Sequence, residues 1–162
     1  MRRAIFFSEN EPVVKFVWVK ATCDESDEDG PSETVDLKSY FSDTAGLEPQ
    51  FRRVGNGRPL NVNVNALRDN RRLKSTIDIR HRDTFLIDGS KVNQGVLAVT
   101  KGKGHEWRGP MVALKEKKKR GVYDPYSFYD DIGMEDFRDV VDYLMGYGEQ
   151  GRGWWVPGKD PE

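Results

Sequence analysis

The sequence predicts an α+β domain: a mainly antiparallel sheet, sandwich or partly closed barrel of five to seven strands, with one amphipathic helix near the C-terminus. Three observations carry this. In residues 58–67, "RPLNVNVNAL", Leu60, Val62, Val64 and Ala66 alternate strictly with Asn61, Asn63 and Asn65, the period of a strand with one covered face. Residues 76–82 alternate in the same way, with Ile77, Ile79 and His81 on one side and Asp78, Arg80 and Arg82 on the other. In "GMEDFRDVVDYLMGYG", Met134, Phe137, Val140, Val141 and Leu144 recur at the i, i+3, i+4, i+7 spacing of a buried helical stripe.

The remaining elements follow in order. Residues 4–7 and 13–21 read as strands around a polar turn at 8–12 that contains Pro12. In the second of them Val14, Phe16 and Trp18 face one way and Val13, Val17 and Val19 the other, which predicts a central strand. Residues 23–33, "CDESDEDGPSE", form an acidic loop without an apolar anchor, and a short strand or turn is expected at 34–41. Gly55-Asn56-Gly57 supplies a turn before 58–67. Two further strands are expected at 95–100 and 110–116, joined as a hairpin by a nine-residue loop with glycines at 102, 104 and 109. The helix then carries Glu135, Asp136 and Asp139 in its N-terminal half, where the dipole favours negative charge, and Gly146 offers a stop. One globular domain over 1–148 and a Gly/Trp/Pro-containing tail over 149–162 are expected.

Composition narrows the class. Eight Phe, six Tyr and four Trp are too many for a disordered chain, while 33% charged residues point to long polar loops around the core. No apolar run approaches a membrane span, and a lone cysteine, Cys23, forms no internal disulfide; an intracellular protein, cytoplasmic or nuclear, is expected. The net charge of −1 conceals a pattern. Residues 1–50 carry five Lys and Arg against eleven Asp and Glu, residues 51–120 carry 18 against six, and residues 121–162 carry three against ten. Such acid–base–acid blocks either neutralise each other within the fold or leave a basic surface for an anionic partner.

His105 sits beside Glu106 in the glycine loop, which suggests acid–base work, but no nucleophile or metal accompanies it; a small hydrolase using His105 is the weakest of three readings. His81 falls on the apolar side of its strand and reads as a packed residue. One Cys and two His cannot assemble a zinc site, and the acidic loop lacks calcium-site spacing, so neither metal nor cofactor is expected. Ser26, followed by Asp27, Glu28 and Asp29, resembles a site of acidophilic kinases. Lys101, Lys103, His105, Trp107 and Arg108, with Arg80, Arg82 and the run Lys117, Lys118, Lys119, Arg120, mix cations with a stacking ring. If they shared one face they would suit a nucleic acid. No nucleic-acid-binding signature is present, and lysines also guard strand edges. The leading expectation is a non-catalytic protein-interaction module that uses charged surfaces and Trp154-Trp155 of the tail, with another protein as partner. A nucleic-acid binder built on the basic block 51–120 is the alternative.

Overall fold

The computed structural model describes residues 1–24, 32–43, 45–51, 59–66, 72–82, 84–117 and 128–146, with the backbone alone at 24, 51, 59–66 and 72–75. The strands are β1 (Arg2–Phe7), β2 (Val14–Asp24), β3 (Ser32–Asp36), β4 (Pro59–Ala66), β5 (Arg72–Arg82), β6 (Met111–Glu116) and β7 (Tyr129–Asp130). The helices are α1 (Lys38–Phe41), α2 (Gln94–Thr100) and α3 (Met134–Gly146), with a 3-10 turn at Pro49–Phe51. The strands form one antiparallel sheet in the order β3-β2-β1-β6-β5-β4, curled into a half-barrel, and β7 adds a short pairing to β6. The α+β class expected from the alternating segments and the C-terminal helix is the one observed.

The topology joins two local units through one distant strand. β1, β2 and β3 form a meander, and β4 and β5 a hairpin, each paired between chain neighbours. β6 inserts between β1 and β5, antiparallel to both, with Ile5 and Ile79 each opposite Ala113. Its first four residues, Met111 to Leu114, are buried on both faces, as a central strand demands.

Each face of the sheet carries its own core. On one face Ile5, Phe7, Ile77, Ile79, Met111 and Ala113 pack against α2 and α3 through Val96, Val140, Tyr143 and Leu144. On the other, Ala4, Val19, Val112 and Leu114 meet Leu37, Phe41 and Tyr129. α1 and the segment after it close this second face.

Three expectations are corrected. The apolar run 95–100 is helical, so residues 95–116 are not a hairpin; helix α2 and the glycine loop lead into β6. Asn93 explains the change. Its Oδ1 accepts the Val96 N–H at 2.8 Å and caps the helix, while its Nδ2 donates to the carbonyls of Phe7 and Gly109 at 3.0 and 2.7 Å. Gly95 then lies against the β1–β2 turn, where a Cβ would stand 2.8 Å from the Val13 carbonyl oxygen. Cys23 is an exposed residue of β2 rather than a loop residue. The acidic segment is the connection of the β2–β3 hairpin, in which Cys23 pairs with Glu33, and residues 25–31 with Ser26 lie outside the described residues. Finally, the row Asp78, Arg80 and Arg82 does not face solvent, for reasons given below; the side chains of Asn61, Asn63 and Asn65 lie outside the described ones.

Candidate functional site

The glycine loop after α2 is built as a clasp. Lys101 ends the helix in the left-handed conformation at φ 54°, and Gly102, Gly104 and Gly109 follow with φ between 80° and 84°. A side chain on Gly104 would collide with the carbonyls of Leu144 and Met145, so this glycine lets the loop fasten onto the last turn of α3. Trp107 is buried, stacked on Phe85 with ring centroids 5.3 Å apart and edge-on to His81 at 5.1 Å. His105 meets the edges of Phe85 and Trp107 at 5.9 and 5.4 Å. Burial lowers the His105 pKa, opposed by Glu106, which favours a neutral imidazole.

The carboxylate nearest in sequence, Glu106, is paired with Arg108 at 2.6 Å, and the Arg108 guanidinium also donates to the Ser90 carbonyl. The two histidines are joined through aromatic rings. A cleft of about 300 Å³ opens beside the loop, lined by Val96, Leu97, His105 and Trp107 among others. Lys101 and Lys103 are exposed at the loop, but the Trp107 ring is occupied within the core.

Arg82 leaves the basic surface, and Arg80 is largely covered. Arg82 is 1% exposed and donates through Nη2 to the carbonyls of Phe41 and Asp43 at 3.2 and 2.8 Å. Arg80 donates to the Tyr129 hydroxyl at 2.7 Å, and that hydroxyl donates to Asp78 Oδ2 at 3.2 Å. Burial raises the Asp78 carboxyl, against the pull of Arg80, and pushes Tyr129 up to about 12. A continuous face of Arg80, Arg82, Lys101, Lys103 and Arg108, as a nucleic-acid binder would need, therefore lacks Arg82. Alternation correctly separates the two sides of β5, but it carries no information that α1 and the chain after it cover the polar side. Lys117 is exposed and its N–H donates to the Phe128 carbonyl. Lys118, Lys119, Arg120, Trp154 and Trp155 lie outside the described residues.

The surface that the sequence did not anticipate lies on α3 and β2. Asp136 is buried and turns inward: its Oδ2 accepts the Gly133 N–H at 2.8 Å, the return half of a capping box, and the Lys115 ammonium at 3.3 Å. These two anchors rotate the helix, so that Asp136, Val140, Tyr143 and Leu144 face the sheet. The expected stripe is thereby split. Val140 and Leu144 are buried, Phe137 and Val141 are half-buried on a flank, and Met134 is 68% exposed. Beside this flank lies β2, where Phe16 stands 6.5 Å from the Phe137 ring and Trp18, two residues along the same face, is 55% exposed. The Arg3 guanidinium covers Phe16 at 5.0 Å. A groove of about 650 Å³ runs along the helix, lined by Met134, Phe137 and Val141 and edged by Glu135, Arg138, Asp139 and Asp142. Large apolar side chains gathered beside a charged rim mark an interaction surface more often than single exposed residues do.

Against known protein families, curated proteins and solved structures, the chain shows no match.

Proposed function

We propose that this protein is a non-catalytic protein-interaction module that binds an apolar or aromatic segment with basic flanks. The single observation that supports this reading is that Phe16 and Trp18 of β2 and Met134 of α3 are exposed beside the half-buried Phe137 and Val141. The side chains supply area that gains by leaving water, at about 25 cal/mol per Å². Selectivity comes from the net charge of the groove's lining, in which Glu135, Asp139 and Asp142, each with contacts of its own, outnumber Arg138; the resulting negative potential favours lysine or arginine beside the apolar contact. An extended or helical peptide seated along the groove fits both features.

The test is a selection of peptides by display on the full chain, followed by Kd measurement against the wild type and Val141→Asp. Enriched peptides should pair a Trp, Phe or Leu with flanking basic residues. Placing a carboxylate in the apolar floor should weaken them at least 30-fold, which corresponds to a hot-spot loss of about 2 kcal/mol. Enriched peptides that bind V141D as tightly as wild type, with its thermal midpoint unchanged, would remove this face from the account.

A further inference from the structure

We infer that Arg82 and Ser90 form the floor of a second site, a pit that binds a small carboxylate anion. The pit, of about 40 Å³, lies where three connections meet: the β1–β2 turn brings Glu9 and Asn10, the chain after α1 brings Asp43, and the segment between β5 and α2 brings Ser90 and Lys91. That is room for about three water-sized spheres, the size of a carboxylate group. Hydrogen bonding identifies the chemistry of the ligand. Arg82 is 1% exposed and Ser90 3%. The Arg82 guanidinium directs Nη2 at the carbonyls of Phe41 and Asp43, but neither its Nε nor the Ser90 hydroxyl has a hydrogen-bond partner among the described residues. A guanidinium only donates, stays charged and is costly to bury uncompensated, so the group that completes this floor accepts hydrogen bonds and carries negative charge. A cation fails on both counts.

The two donors converge on one point of the backbone. A Cβ built on Gly109, whose φ is 80°, would stand 3.3 Å from Ser90 Oγ and 3.7 Å from Arg82 Nη1, so both side chains lie against this glycine. A guanidinium and a hydroxyl placed together serve the two oxygens of one carboxylate, which a halide lacks. The acids around the pit set the pH at which it fills. Asp43 is exposed and its Oδ1 accepts the Ala45 N–H, so water screens it; Asp88 accepts the Ser90 N–H at 2.8 Å and the Thr84 hydroxyl at 2.9 Å. Lys91 is exposed at the rim and donates to Asn10 Oδ1 at 3.4 Å. Glu9 is half-buried, and burial raises its pKa against the pull of Arg82 and Lys91, with Asp43 and Asp88 adding to the rise. Once protonated, Glu9 no longer repels an anion. By linkage the anion binds more tightly as pH falls through the Glu9 value, and that gain is absent above it.

The experiment is an NMR titration of the full chain with sodium formate, which stays ionised at pH 5, against sodium chloride at equal ionic strength. The Arg82 Nε–H resonance should shift saturably with formate, with a Kd on the order of millimolar as so small a ligand allows, and chloride should leave it near its starting position. Ser90→Ala removes a hydroxyl that bonds nothing else among the described residues, so it should keep the thermal midpoint and weaken formate about tenfold. Wild type should bind formate more tightly at pH 5 than at pH 7, and Glu9→Gln should bind it equally at both. An Arg82 resonance unmoved by formate, or moved as far by chloride, would overturn the inference and leave water as the acceptor for both donors. Formate affinity unchanged in S90A would overturn it as well, and a pH dependence that persists in Glu9→Gln would overturn the coupling. The Arg82 signal is read on the unsubstituted chain, so a variant that folds poorly does not spare the proposal.

Discussion

Glu33 ties the β2–β3 hairpin to β1 and to β7 at a single carboxylate. It accepts Arg2 Nε and Nη2 at 2.9 and 3.0 Å and the Tyr129 N–H at 3.1 Å. The Arg2 hydrogen bonds, with help from the Tyr129 N–H and against burial, hold its pKa below the ordinary value of 4.5. A carboxyl lowered in the folded state contributes stability that is fully present above its unfolded value and is lost as pH falls through the folded one. Glu33→Gln should therefore cost on the order of 1 kcal/mol at neutral pH, a figure reduced because Arg2 is about one-third exposed. The variant should also lose less stability than wild type below about pH 4.5. Urea unfolding at pH 7 and pH 3.5 measures both, and a constant difference between the two proteins at the two pH values would contradict the assignment. None of this is legible in the sequence, where Glu33 is one acid among many in an acidic segment. The same holds for Arg82 and Asp136: a charged side chain reads as surface until the backbone carbonyls or the capped N–H that satisfy it are brought to it by the fold.

Among the elements, α2 shows most clearly where local pattern stops being sufficient. Val96, Leu97, Ala98 and Val99 are short, apolar and partly β-branched, so periodicity cannot separate a buried strand from a short helix. What decides is Asn93, 0% exposed, whose single side chain caps α2 and bonds the ends of β1 and of the glycine loop. Asn93→Ala should lose the cap and both donations to the Phe7 and Gly109 carbonyls, a cost of about 2–4 kcal/mol. Asn93→Asp keeps the cap acceptor but turns an oxygen toward both carbonyls, and should be no more stable than the alanine variant. Thermal unfolding reads this as a fall on the order of 10 °C, and an aspartate variant close to wild type would show that the cap alone matters. In α3 the helix itself was legible from its 3.6-residue period. Its rotation was not, because the anchors at Asp136 belong to Gly133 and to Lys115 on a distant strand. That small rotation is what leaves Met134, Phe137 and Val141 on a flank.

At the scale of the whole molecule, the class and most strands were readable because alternation and helical spacing are local properties of the chain. The strand order was not, since nothing local to residues 111–116 tells them to enter between β1 and β5. The charge blocks are partly consumed within the fold: Lys115 of the basic block meets Asp136 of the second acidic one, and half-buried Glu9 of the first feels Arg82 and Lys91. Arg82 and Trp107 are also drawn inward and Arg80 is largely buried, while the described surface leaves Phe16, Trp18 and Met134 exposed beside the charged side chains of α3. The most direct measurement of that central claim is oxidative footprinting of the full chain with and without a tight selected peptide. Trp18, Phe16 and Met134 are exposed and of readily oxidised or ring-bearing type. The account predicts that the peptide protects all three while His105 and the glycine loop react unchanged. Protection at His105 with Trp18 and Met134 still oxidised at the free rate would place the binding face on the glycine loop and contradict the account.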